Sequence, residues 1–237
     1  MPTKVLFYRV LALNLLAIAL VILISYPFGQ VEQQFKDGGF IDIFSGIQLF
    51  VIAYYAYRAF KARSAAFRSP WRSPGAIWGI ISAGFVFLAL DELATIHEGL
   101  DKLIHIVLNL QETGMSDRID DLIVGLYGVI AIALLVVYRK ELKRYKFVLP
   151  YVFGGFVLLF CMIGIDAISN RDDVFLAFFS AARSDSLMSW VFVPEEACKL
   201  VSEAFFVTAA KCCEQMGRDR AFTAHANTST KSSQSPL

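Results

Sequence analysis

The segment Phe85 to His105, FVFLALDELATIHEGLDKLIH, starts as an apolar run and then fills with Asp91, Glu92, His97, Glu98, Asp101 and His105 with no intervening proline. Carboxylates and imidazoles ligate metals, hold protons and abstract them. Two constellations can be built here. His97, Glu98 and Asp101 read H-E-x-x-D, one residue removed from the H-E-x-x-H helix in which positions i and i+4 ligate zinc and the glutamate is the general base. Asp is an admissible zinc ligand, which makes Glu98 the candidate catalytic base and His97 and Asp101 the ligands. If the helix instead runs unbroken through His105 at about 100° per residue, Asp91, Glu98 and His105, spaced by sevens, share one stripe. Asp91 and His105 are then the ligands, His97 points elsewhere, and the choice stays open.

A second segment, PEEACKLVSE, holds Glu195, Glu196, Lys199 and Glu203. Glu196 and Glu203 are again seven apart, with Lys199 close to their face. Pro194 suits a first helical turn, which would set Glu195 and Glu196 at the positive end of the helix dipole. Glu203 lies two turns deeper among apolar neighbours, and Lys199, one turn back, is its expected partner. With Glu196 as a further ligand, the two segments would hold a divalent metal: zinc, iron or manganese. The paired Glu and Glu-x-x-His pattern of di-iron bundles is absent. Without a metal, Asp42, Glu92, Asp166, Glu195, Lys199 and Glu203 form a candidate proton or ion relay. The plainer account is a set of charged helix rims at a membrane surface.

The elements that carry these residues are membrane-grade. Of the 237 residues 57% are hydrophobic and 21 are Phe, above the roughly 45–50% apolar content of soluble domains. The formal net charge of +1, with no basic module bearing interleaved aromatics, gives no reason to expect nucleic acid. Cys161, Cys198, Cys212 and Cys213 form no C-x-x-C pair and read as small packing groups. Apolar runs long enough to cross a bilayer, about 20 residues, are expected at Val5 to Tyr26, Phe40 to Phe60, Ala76 to about Leu93, Leu122 to Tyr138, Phe147 to Ile168 and Trp190 to about Cys213. A short interfacial helix is expected over Val174 to Ala182. From Gly217 the composition turns to Ser, Thr, Asn and Gln, which predicts a disordered tail.

The expected fold is thus an all-α polytopic membrane bundle of about six transmembrane helices over 1–216, followed by the tail 217–237. Basic residues crowd the N-terminus, the second-to-third link, the fourth-to-fifth link and the Lys211 to Arg220 region, whereas the other links are acidic or mixed. By the positive-inside rule both termini are cytoplasmic. Asp42, the Asp91 to Asp101 group, Asp120 and Asp121, Asp166, and Glu195 with Glu196 then gather at the same, outward-facing end, with four of the helices contributing.

The segments FLALDELATIHE and PEEACKLVSEAFF resemble those of small multi-pass bacterial membrane proteins of no assigned function. That resemblance implies no activity; the apolar spans themselves lead to an expected cell-membrane location, the inner membrane in a Gram-negative cell. Seven-helix membrane hydrolases of the ceramidase and progestin-receptor type hold zinc with three histidines; only His97 and His105 are available here for such a set. The residues themselves lead to an expected metal-dependent membrane hydrolase acting on a lipid or peptide bond. Proton- or cation-coupled transport through the same carboxylates is the rival, and a non-catalytic assembly or interaction subunit is the third.

Overall fold

The computed structural model describes residues 3–36, 38–65, 67–109, 119–169 and 181–232, the side chains of 120, 121, 167–169, 181–189 and 219–232 excepted. Apolar length makes the first element, α1 (Thr3–Ser25), whose Leu13, Leu16, Leu20 and Leu23 face outward. Pro27 and Gly29 stop it: the chain closes a 3-10 turn over Tyr26–Phe28, and Gly29 takes φ 66°, a conformation open to glycine at little cost. The short α2 (Val31–Phe35) then tucks Val31 and Phe35 against Ile18, Ile41 and Leu200.

Helices α3 (Phe40–Ser64) and α4 (Ala76–Ala94) form a tightly packed hairpin. Its turn is held by polar side chains: the Ser64 and Ser73 hydroxyls lie 2.9 Å apart, and Ser73 Oγ donates to the Pro70 carbonyl at 2.6 Å. Deeper in, Ser82 Oγ donates to the Ala53 carbonyl at 2.8 Å, tying α4 to α3. The chain continues through α5 (Ile96–Leu108), α6 (Ile119–Val137), the single turn α7 (Arg139–Leu142), α8 (Leu149–Ser169) and α9 (Ala181–Ser232). Among the described residues there is no strand, and the protein is an all-α helical bundle.

The centre of the bundle is α9, packed on α1, α3 and α8. Leu200, Ala204 and Thr208 are fully enclosed. Asn14 Nδ2 of α1 donates to the Leu200 carbonyl at 2.5 Å. Phe205 and Phe206 fill the space over Gly154 and Gly155 of α8, where an added Cβ would come within 2.7 Å of each ring. Small residues at such a crossing let two backbones approach closely.

Among the described residues four stretches are long and apolar enough to cross a membrane: Thr3–Phe28, Val31–Ser64, Ala76–Ala94 and Arg139–Asp166; Leu122–Val137 is a shorter apolar helix. The expected sixth span is helical but is not among them, because Glu195, Glu196, Lys199, Glu203 and Lys211 dilute its hydropathy while packing into the bundle. Pro194 lies inside α9, whose helix already begins at Ala181, so it does not set a first turn, and the dipole account of Glu195 and Glu196 falls with it. The backbone of α9 is helical as far as Ser232, past the Gly217 expected to begin a structureless tail. The expected interfacial helix at Val174 to Ala182 falls almost wholly outside the described residues.

The two ends of the bundle differ in charge. At one end Arg63 of α3 grips Glu141 of α7 at 2.7 Å, while Glu214 of α9 meets Lys211 at 2.9 Å, Arg218 at 3.4 Å and Arg58 at 3.5 Å. The opposite end carries Asp42, Asp91, Glu92 and Glu196.

Candidate functional site

At the acidic end three helices converge on one ammonium. Lys199 Nζ of α9 lies 3.1 Å from Asp42 Oδ1 of α3, 2.6 Å from Glu92 Oε1 of α4 and 2.7 Å from Glu196 Oε2 one turn back on α9. The side chains of Asp42 and Glu196 are 3% and 8% exposed and those of Lys199 and Glu92 14% and 18%, so the group is largely shielded from water. Oxygens of Asp42, Glu92 and Glu196 all lie within 4.8 Å of one another, a spacing suited to a metal ion. Lys199 supplies the positive charge at that point. An ion pair removed from water is kept only when its partners are close and numerous, and here three carboxylates surround one cation.

Glu203, two turns deeper on α9, does not take Lys199 as its partner. Its Oε1 accepts a 2.5 Å hydrogen bond from Ser45 Oγ of α3, and its Oε2 is buried without a hydrogen-bond partner. Sequence reasoning missed Ser45, although its spacing from Asp42 places both on one face of α3. Gln48, a further turn along, is buried with neither side-chain polar atom hydrogen-bonded.

The run expected to continue from α4 through His105 is broken. Thr95 adopts the left-handed conformation at φ 45° and ψ 49°, and α5 starts afresh at Ile96. Asp91 stabilises the break, its Oδ1 accepting from the His97 backbone N–H at 2.8 Å and its Oδ2 lying 3.2 Å from His97 Nδ1. Asp91, Glu98 and His105 therefore share no continuous helical stripe. On α5, His105 Nδ1 lies 3.1 Å from Asp101 Oδ1 and 3.0 Å from the Asp101 carbonyl, while Glu98 accepts from Lys102 at 3.1 Å. Neither constellation drawn from the sequence, His97 with Asp101 or Asp91 with His105, forms part of the group of possible ligand atoms around Glu196 found among the described residues. The neighbours of Glu196 are instead Asp42 and Glu92, two members of the relay set.

A cavity of about 890 Å³ opens from this centre. It runs between α4, α6, α8 and α9, from Asp91, Glu92, His97 and Glu196 at the acidic end to Trp78, Tyr145 and Cys213 at the other. Glu98, Asp166, Glu195, Lys199 and Glu203 also line it. Cavities of this size hold small organic ligands.

The whole of this centre lies within residues 6–213, which match a family described as Domain of unknown function (DUF8692). The chain belongs to the DUF8692 family. That region runs from α1 to the end of the central part of α9, taking in both the lysine-centred group and the cavity wall, while Glu214 lies just beyond it. No curated protein and no solved structure matches the chain. The DUF8692 description names no activity, in keeping with the absence of one in the resemblance that the sequence suggested.

Proposed function

We propose that the protein is a proton- or cation-coupled membrane transporter whose coupling centre is Lys199 with Asp42, Glu92, Glu196 and Glu203. The observation that carries this reading is the ammonium of Lys199 standing amid three carboxylates from three helices, on the wall of a cavity that crosses the bundle. One ammonium among three carboxylates and a fourth nearby leaves surplus negative charge in apolar surroundings. Such a group relieves that charge by taking up protons or a cation, which compete there with the ammonium of Lys199. Beside Asp42 of α3, the titratable groups lining the cavity toward it include Asp91 and Glu92 from α4, His97 and Glu98 from α5, Tyr127 from α6, Asp166 from α8, and Glu195, Glu196 and Glu203 from α9, with Lys36 beside α2. The cytoplasmic termini and the cell membrane, the inner one in a Gram-negative cell, complete the proposal and turn the acidic end outward.

Proteoliposomes loaded with a pH-sensitive dye and given a step in pH or in external sodium or potassium test it. The expected result is flux through the wild type that Glu203→Gln lowers at least tenfold. No flux with any of these ions would overturn the reading.

A second reading, a metal-dependent membrane hydrolase cutting a lipid or peptide bond, is favoured by the oxygens of Asp42, Glu92 and Glu196 lying within 4.8 Å of one another. An all-oxygen set suits hard divalent cations, and recruitment of an imidazole would move it toward zinc, iron or manganese. In that case Glu98 is the candidate base, on the same cavity wall. Elemental analysis of detergent-purified protein separates the two: a stoichiometric metal favours the hydrolase, and pH-driven flux without one favours transport.

A further inference from the structure

The cavity has a polarity along its length that the coupling centre alone does not require. Its wall reaches along α4 from Trp78 to Glu92, about 20 Å of helix at 1.5 Å per residue. The charged residues that line it gather toward one end, where acidic side chains outnumber Lys36 and Lys199. The remainder of the wall is dominated by aliphatic and aromatic side chains such as Leu88, Leu134, Phe156 and Leu159. The acidic end also holds a carboxylate with capacity to spare: Glu203 is 2% exposed, lines the cavity, and its Oε2 has no hydrogen-bond partner. Along the apolar length Gly84 leaves the space open, since a Cβ added there would meet nothing within 4 Å.

We propose that this cavity binds a lipophilic cation: an amine, quaternary ammonium or phosphonium carried on an apolar body. This rests on the coupling-centre reading and names what the centre exchanges for protons. The apolar body lies against α4, α6 and α8, where burial is favourable in proportion to the area covered. The positive charge sits toward Glu203, Glu196 and Glu92 and competes there with protons and with Lys199. An anion of the same shape meets the same apolar wall but is repelled at the acidic end, so charge sign, not hydrophobicity, is the discriminating property.

Tetraphenylphosphonium and tetraphenylborate, nearly identical in shape and opposite in charge, are the probes. Binding of each is measured on the full chain in nanodiscs of zwitterionic lipid, with protein-free nanodiscs subtracted. The expected result is saturable tetraphenylphosphonium binding near one per chain, weakened as pH falls, and no saturable tetraphenylborate binding. Gly84→Leu, which fills the cavity, is expected to weaken tetraphenylphosphonium at least tenfold; if that variant does not fold, Ala131→Phe on the α6 wall serves instead. Equal binding of the two ions, no saturable binding of either, or unchanged binding in a folded cavity-filling variant overturns the inference. Ion flux persisting without tetraphenylphosphonium binding sinks this inference and leaves the coupling proposal standing. Saturable binding without any pH- or ion-driven flux does the reverse.

Discussion

Lys199 is the side chain on which the acidic end depends. Replacing it with Met leaves Asp42, Glu92 and Glu196 facing one another with no counter-charge, and breaking a buried ionic group in this way costs about 3–5 kcal/mol. The expected outcome of Lys199→Met is a marked fall in Tm of detergent-solubilised protein, part of which Glu196→Gln restores when added to it. A Lys199→Met protein as stable as the wild type would show that the ammonium holds nothing together. At the opposite end Glu214 behaves as a fixed charge. Burial pushes its carboxyl up, but hydrogen bonds from Lys211 and Arg218 and the nearby Arg58 outweigh that and hold it below the usual carboxylate range. A lowered folded-state value gives stability that is complete above the unfolded value, about 4.3, and is lost as pH falls through the folded one. Glu214→Gln should therefore lower Tm at pH 7, with the gap to wild type closing below about pH 4; a gap that persists in acid would mean lost packing. The sequence marks nearly every acid of the centre but misassigns the lysine. Local spacing on α9 offers Glu203 to Lys199, and nothing in the linear order reveals that Asp42 and Glu92 come closer from other helices.

At the scale of elements, the break between α4 and α5 matters most. It is made by Thr95 in a left-handed conformation and secured by Asp91 capping α5 through the His97 backbone N–H. Removing a cap of this kind costs about 1 kcal/mol. In Asp91→Ala, amide hydrogen exchange across 96–108 is expected to speed up several-fold while α4 is little changed; unaltered exchange in α5 would deny Asp91 that role. The break is hard to read from sequence because neither glycine nor proline marks it, and an aspartate six residues before a histidine has no known helical meaning. The α3–α4 hairpin is far more legible. Apolar length defines its arms, and a Ser- and Pro-rich basic link defines its turn. The placement of α9 at the centre is the converse case, since its charges lower its hydropathy while its burial comes from packing on α1, α3 and α8.

For the whole molecule the segregation of charge between the two bundle ends is the main signal, and the links alone make it readable because basic residues crowd the links at one end while those at the other are acidic or mixed. It predicts that reporter domains fused to either terminus are active only on the cytoplasmic side, and that single cysteines placed in the link of residues 30–39 react with impermeant reagents from outside. Labelling of those cysteines only after lysis would reverse the orientation. The central position of α9 also bears on biogenesis. Among the described long helices it leaves the ribosome after the others and, by its charges, is the one least fitted to enter hydrocarbon unaided. Asp42 and Glu92 are synthesised far earlier than the ammonium they pair with, so a chain arrested before α9 would leave these acids without their counter-charge and is expected to be cleared faster than the finished one.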